Sequence, residues 1–495
     1  MLPPSVSKLF LGTILVFVVV HAWIAFGYTP AVSDTNRYAM YAFMMDKAER
    51  NGRTPYDEYE SSQRATSRAH GLPTPRADEM TVEYPPLALA MLRAPLAFVD
   101  RDAGGMRGRI QRDWDDWTRG FRGLYFFAHA SVLLGMAVWQ RRRGAACTFG
   151  LAVSTLAGLA LLYVLYDRLD LALGLVLLGA LAALLSGHRY LALAMLAVAV
   201  NLKLVPIFLL PLFVIGALPA TALTQGLPNR SSLPAAARAT AGFAATGLAM
   251  FLPFRLAWGP RVWDFLAYHG QRGFQIESTW SSVLLLAARF GYPARVERGY
   301  GADELAGPGS ATLAKASVVV VLGLVLVAYA VLGWALRRSR SAHETVPASR
   351  RTLAEEQPQL FVWGSVAVLA AAMVAAKVFS PQYLCWFLPL LILIDRPGRA
   401  RDTIPFVVLL AACGLTALVF PVLWHEVIRG SLRDGKTISL LPTLPATLLM
   451  LTRNVLWIGF AGLALRQAWA LRAPAPAAPP PSPSPARRRR RHRRR

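Results

Sequence analysis

The chain has 495 residues, 55% of them hydrophobic, a mean hydropathy of +0.39 and a formal net charge of +25. Its apolar residues are gathered into long uninterrupted runs that no soluble core could use, which excludes a soluble globular protein and predicts an all-α polytopic membrane protein. The placement of the charge argues against a nucleic-acid partner. Residues 28–122 hold fourteen Lys/Arg and fourteen Asp/Glu, while the basic surplus lies in short connections (Arg141–Arg143, Arg337–Arg351, Arg396–Arg401) and in eight arginines between Arg487 and Arg495. That is the bias expected of loops held on the cytoplasmic side.

The first apolar run, Leu9–Tyr28, follows Lys8 and is long enough to cross a bilayer, which predicts a retained signal anchor rather than a cleaved signal peptide. A long polar segment, residues 28–122, comes next and is expected on the outer side. It opens with Ser33-Asp34-Thr35-Asn36-Arg37-Tyr38 and closes on Glu83-Tyr84-Pro85-Pro86-Leu87. Apolar spacing at Tyr38, Tyr41, Ala42 and Met45, and again over Leu87–Phe98, predicts helices lying along the membrane surface. Asp113-Trp114-Asp115-Asp116 has the composition of a Mg²⁺ site but falls where nucleotide sugars are absent, so a surface turn is expected.

Further spans are predicted at Leu124–Gln140, Ala145–Tyr166, Leu169–Leu185, Leu191–Leu202, Pro206–Leu218, Ala241–Trp258, Ser317–Leu336, Leu360–Phe379, Tyr383–Ile394, Ile404–Trp424 and Ala446–Leu465. With the first, they make about twelve crossings, within a range of ten to thirteen, and leave both termini cytoplasmic. Leu191–Leu202 and Tyr383–Ile394 fall short of the roughly 20 residues a perpendicular span needs. They are expected to be broken helices that meet inside the membrane with a site between them, since irregular backbone at that depth must be enclosed by protein or line a cavity. Two further outer segments follow, 259–312 and 425–445. The transmembrane domain is taken as residues 1–470, and the Pro/Arg-rich tail 471–495 is expected to be disordered, its arginines meeting anionic lipid. Cys147, Cys385 and Cys413 lie in or beside apolar runs without metal-ligand spacing and read as packing residues.

Asp34 has two readings. Ser-Asp-Thr-Asn before an apolar-periodic run is an ordinary helix N-cap, and an acid placed directly after a first span is also a candidate base. The order of several motifs bears on the choice: Asp34 after the first span, Tyr84-Pro85-Pro86-Leu87 leading into Ala88–Leu96, Asn201-Leu202-Lys203-Leu204-Val205-Pro206, and Ser380-Pro381-Gln382-Tyr383-Leu384-Cys385-Trp386. Over roughly Leu9–Trp469 the chain thereby resembles the bacterial GT-C glycosyltransferases, and within them the DUF2029-type mannosyltransferases of actinobacteria that use polyprenyl-phosphate mannose. Tyr166-Asp167-Arg168-Leu169-Asp170 departs from that pattern, where a Gly-Gln-x-Asn-like patch is common, and leaves the acceptor open.

The resemblance implies transfer of a sugar, most plainly mannose, with inversion, from a polyprenyl-phosphate donor to a glycolipid or polysaccharide on the outer face of the bacterial plasma membrane. No metal or other cofactor is required. Asp34 would take the proton of the acceptor hydroxyl. Cations would balance the departing phosphate. Lys203 and Lys377 are charges at suspected helix breaks, and charge inside a membrane is a functional hypothesis, with snorkelling as its plain alternative. His269, Arg272 and Arg255 complete the phosphate-binding candidates. Gln275, Glu277 and Trp280 in the same outer cluster, with Tyr84, Gln382 and Tyr383 from the motifs, are expected to meet sugar or acceptor. His425-Glu426 is a further candidate pair. A P-loop, a Rossmann fingerprint, a zincin helix and a nucleophile elbow have no credible match, so ATP and nucleotide-sugar chemistry are not expected. A twelve-span transporter without catalysis and a same-fold transferase using arabinose are the competing readings. Transporters built from matched halves do not explain a long outer segment after the first span alone.

Overall fold

The fold is given by a computed structural model, which describes residues 4–28, 34–69, 71, 82–99, 106–142, 148–221, 232–340, 351–395, 397–433 and 436–471. The arginine tail from residue 472 onward, Cys147 and residues 341–350 lie outside the described residues. In chain order the helices are α1 (Pro4–Ala22), α2 (Thr35–Arg50), α3 (Pro55–Ala69), α4 (Pro86–Met91), α5 (Met106–Arg142), α6 (Thr148–Ala160), α7 (Asp170–Leu185), α8 (Arg189–Leu202) and α9 (Leu210–Gly216). They continue as α10 (Leu233–Trp258), α11 (Asp264–Gln271), α12 (Thr279–Ala288), α13 (Ser310–Arg340), α14 (Leu353–Glu356), α15 (Pro358–Val374), α16 (Ile404–Ala417), α17 (Trp424–Val427) and α18 (Leu444–Ala470).

The protein is mostly helical and built for a membrane. Six helical stretches among the described residues are long and apolar enough to cross one: Lys8–Gly27, Arg112–Gln140, Leu233–Trp258, Ser310–Arg338, Ala400–Val422 and Leu444–Ala470. The other six predicted spans fall on shorter apolar helical segments, among them Thr148–Ala160, Asp170–Leu185, Val205–Gly216 and Pro358–Val374. Length and burial run in opposite directions. α7 and α15 are apolar on every side and buried almost throughout, as a helix with no polar face must be. The longer α10 and α13 stand at the periphery and leave Leu248, Leu252, Val319 and Leu326 exposed, the aspect of helices that face lipid. α7 packs on α8, α8 on α10, and α15 on both α13 and α18.

The segment Pro381–Leu393 is not an α-helix. Pro381 and Pro389 lack the N–H an α-helical ladder needs, and the chain runs as two 3₁₀ pieces, Pro381–Trp386 and Pro389–Leu393. It wedges against α7 where Gly174 faces the Cys385 carbonyl; a Cβ there would lie 2.7 Å from that oxygen. The two short segments singled out from sequence do meet: the Lys203 amine, just past α8, sits 4.2 Å from the Tyr383 ring and 5.1 Å from the Trp386 ring.

Two small sheets were not anticipated by an all-α reading. Strand β3 (Ala302–Ala306) lies between β1 (Phe274–Gln275) and β2 (Arg295–Gly299), all antiparallel, with Phe274 and Val296 both opposite Leu305. A hairpin of β4 (Arg429–Arg433) and β5 (Lys436–Leu440) belongs to the last such connection. The apolar side of the first sheet closes on a small second core with Ile276, Leu285, Val419 and Met450, which fixes the connection between α10 and α13 on the ends of α12 and α18.

In the first long polar segment α2 forms where its periodicity predicts. Its apolar face, however, is spent on protein rather than lipid: Tyr38 is fully buried, with Phe121 of α5 at 5.9 Å and Tyr84 at 5.7 Å between ring centroids. Asp113–Asp116 is not a surface turn but part of α5, with Asp116 pairing to Arg119 at 3.0 Å while Trp117 inserts into the core.

Candidate functional site

A polar cavity of about 230 Å³ lies among the connections between the helices. Its walls come from the connections after α1, between α6 and α7, after α8, between α10 and α13, after α15 and between α16 and α18. These are alternate connections of the chain. Arg337, near the end of α13, and Arg399 and Arg401, beyond the two 3₁₀ pieces that follow α15, fall in the intervening stretches of the chain.

Asp34 stands at the N-cap position of α2, and its carbonyl accepts from Tyr38 N–H at 3.1 Å, but its side chain does not cap the helix. The carboxylate turns instead to two guanidiniums. Arg37, one turn along α2, donates to Oδ2 at 2.8 Å, and Arg168 Nη1 contacts the same oxygen. The i,i+3 spacing from Asp34 is a sequence signal that could mark Arg37, whereas Arg168 enters the sequence analysis only within a departure from a family pattern.

Arg168 is aimed by its neighbours. In Asp167-Arg168-Leu169-Asp170 each charge has a separate partner. Asp167 accepts from Arg122 of α5 at 2.7 Å, and the same guanidinium donates to the Tyr28 carbonyl at 3.0 Å, which ties the turn to the middle of α5 and to the chain just past α1. Asp170, the first residue of α7 where a carboxylate is favoured by the helix dipole, accepts from Lys203 Nζ and from Trp386 Nε1, each at 2.6 Å. Lys203 therefore lines the cavity, but its charge is already matched. Applying the same rule about charge in apolar stretches to Asp167, Arg168 and Asp170 would have found all three.

The segment between α10 and α13 supplies the facing wall. Arg37 also approaches Glu83 at 3.2 Å, and Glu83 accepts from the Tyr268 hydroxyl at 3.1 Å. Burial pushes the Glu83 carboxyl up, yet Arg37, Arg272 and His269 together hold it below its usual range. Arg272 donates through Nε to Glu304 at 3.2 Å. His269 lines the cavity as well, and burial lowers its pKa to about 4, so it is neutral at physiological pH. Gln275 cross-links the walls, donating to Ser380 Oγ at 2.8 Å and accepting from Phe379 N–H at 3.1 Å. The same amide donates to Glu277 Oε2 at 3.1 Å. Glu277 is buried, and burial raises its pKa to about 7 against the opposing pull of Arg453 and Arg168; its Oε1 has no hydrogen-bond partner among the described residues. The tip of the β2–β3 hairpin overhangs the cavity at Gly301. Its φ of +68° favours glycine, and a Cβ there would lie 3.0 Å from Arg37 Nη1.

Nine of the twelve predicted site residues line this cavity: Asp34, Tyr84, Lys203, His269, Arg272, Gln275, Glu277, Gln382 and Tyr383. Three do not. Lys377 donates to the carbonyls of His269 and Gly270 at 3.0 and 3.1 Å, placing a cation on the C-terminal carbonyls of α11, where a helix end favours it. Trp280 stacks on Phe274 and donates Nε1–H to the Ala375 carbonyl at 2.8 Å, so its ring is a clasp between α12 and the end of α15, not a platform for sugar. Arg255 is exposed on α10 away from the cavity. His425 and Glu426 pair with each other at 3.5 Å and leave the cavity to Trp424. The lining residues that sequence reading missed are chiefly Arg37, Glu83, Arg168, Arg298 and Asp303.

The cavity lining thus carries five strong cations, Arg37, Arg168, Lys203, Arg272 and Arg298, and four carboxyls, Asp34, Glu83, Glu277 and Asp303. Each of those cations is matched to an acid, Lys203 to Asp170, Arg272 to Glu304 and Arg298 to Asp303. Such a surface can seat an anion only by exchanging one partner for another, and it offers carboxyls for hydroxyl protons. Comparison of the chain with family models, curated proteins and solved structures finds no match.

Proposed function

We propose that the protein is an inverting glycosyltransferase of GT-C type in the bacterial plasma membrane. It moves a sugar, most plainly mannose, from a polyprenyl-phosphate donor to a glycolipid or glycan acceptor on the outer face. The observation that carries this reading is the meeting of Asp34 with Arg37 and Arg168 in a polar cavity lined by alternate connections of the chain. A carboxylate for the acceptor proton and guanidiniums for the leaving phosphate are the two groups that displacement at a sugar phosphate needs. The positive-inside rule supports an outward-facing cavity. Lys203 and Tyr383 support it from below, and Tyr84, Gln275, Glu277 and Gln382 offer hydrogen bonds to sugar hydroxyls.

The test is transfer by purified protein from polyprenyl-phosphate mannose to a panel of lipid-linked acceptors, with Asp34→Asn alongside. The near-isosteric change is expected to abolish transfer and leave folding intact. Full activity in Asp34→Asn removes the base assignment. A labelled solute crossing vesicles with no donor consumed favours the transporter reading instead.

A further inference from the structure

We propose that Arg37 and Arg168 form the seat for the donor's phosphate, and that they pass from Asp34 to that phosphate as the reaction proceeds. The inference rests on the transferase reading for the direction of proton transfer, but its binding consequence does not. Arg168 is 6% exposed, and its Nε, like that of Arg37, has no hydrogen-bond partner among the described residues. Buried guanidinium donors with nothing to bind carry a large desolvation cost, which an oxyanion in the cavity removes. Both arginines also spend a donor on one carboxylate oxygen of Asp34. A carboxylate held by two guanidiniums is a weak base, so the contact seen in this structure cannot be the one in which Asp34 takes a proton.

Charge accounting gives the exchange its direction. A glycosyl lipid phosphate carries one negative charge on its phosphodiester. When the acceptor oxygen bonds to the anomeric carbon, the carbon–oxygen bond to phosphate breaks and its electron pair stays on the phosphate oxygen, giving a phosphomonoester with one further negative charge. The acceptor's proton goes to an Asp34 carboxylate oxygen, which becomes neutral. Negative charge is lost at Asp34 and gained at the phosphate, and total charge is unchanged. The two guanidiniums are drawn to wherever the charge is, and bidentate phosphate geometry suits them. Glu83, which also pairs with Arg37, keeps that side chain at the cavity wall throughout. Neither arginine was among the phosphate-binding candidates read from sequence, which were Lys203, Lys377, Arg272, Arg255 and His269; the first of these is bound to Asp170 and the second caps α11.

The test sets binding beside sugar transfer by the wild type. Affinity for polyprenyl monophosphate is measured in lipid nanodiscs for the wild type, Asp34→Asn, Arg168→Gln, Arg168→Lys and the Asp34→Asn/Arg168→Gln double variant. Asp34→Asn imitates the neutral carboxyl and is expected to bind the lipid phosphate about tenfold more tightly than the wild type, a change of about 1.4 kcal/mol. Arg168→Gln should bind about tenfold more weakly, Arg168→Lys should fall between, and the gain from Asp34→Asn should shrink in the double variant. Inorganic phosphate competing only at far higher concentration supports a lipid-borne ligand; equal potency would overturn that assignment. If Asp34→Asn leaves the affinity unchanged or weakens it while the wild type transfers sugar, the exchange is wrong and the transferase reading stands. If the affinities follow the expected order while the wild type transfers no sugar, the exchange stands and the transferase reading falls.

Discussion

Lys203 and Asp170 form an ion pair of 2.6 Å, with the carboxylate side chain 1% exposed, at the point where α7, α8 and the 3₁₀ segment converge. The lysine that reads from sequence as a free charge for a ligand is the partner of an acid that sequence reading had passed over.

The pairing predicts an asymmetry. Lys203→Met leaves Asp170 as a buried carboxylate whose remaining donor is Trp386, and should cost about 3–5 kcal/mol of stability. Asp170→Asn in the same chain removes the stranded charge and should recover most of it. Thermal unfolding in detergent of the two single variants and the double variant measures the coupling. Equal and additive losses would show that the pair is not a unit.

Glu277 predicts a pH dependence. Its pKa is raised from 4.5 to about 7 by burial, so the folded protein holds this proton while the unfolded chain releases it. As pH rises from about 4.5 to about 7 this group therefore makes folding less favourable, by at most about 3 kcal/mol, and its influence then levels off. Glu277→Gln removes the titration. The variant should gain stability relative to the wild type as pH is raised through that window, and little difference should remain at pH 4.

Gly301 predicts a coupling between the β2–β3 hairpin and the cavity. Gly301→Ala forces a side chain into a left-handed conformation, at about 1–2 kcal/mol, and presses its Cβ towards Arg37 Nη1. Binding of polyprenyl monophosphate should weaken more than the stability loss alone explains. Unchanged affinity would separate the hairpin from the site.

Trp280 offers a control of opposite sign. Trp280→Phe retains the stack on Phe274 but leaves the Ala375 carbonyl without its donor, which should cost about 1–3 kcal/mol. The KM for the sugar donor should not move. A large rise in KM would show instead that the Trp280 ring meets the sugar.

Much of this was legible in local pattern. All twelve predicted apolar runs fall on helical segments, because hydropathy and length are properties of a window of chain. Asp34 stood out for the same reason, as an acid directly after an apolar run. Partners are a different matter. The sequence pointed to a chain that enters a membrane, with polar segments after alternate apolar runs, and it singled out Asp34, Lys203, His269, Arg272, Gln275 and Glu277, which line one cavity. Only the tertiary structure decided which charge answers which. Arg168 meets Asp34 because Arg122 anchors the turn after α6; Lys203 meets Asp170 because α7, α8 and a proline-broken segment converge; Lys377 and Trp280 are spent on backbone carbonyls. Strands as short as β1, and strands as charged as β2 and β3, gave no periodic signal of their own and exist through their pairing. The physical reason is common to all of these. Burial along a helix is written in its own residues, whereas an ion pair or a hydrogen bond across a cavity depends on where packing brings two distant stretches together.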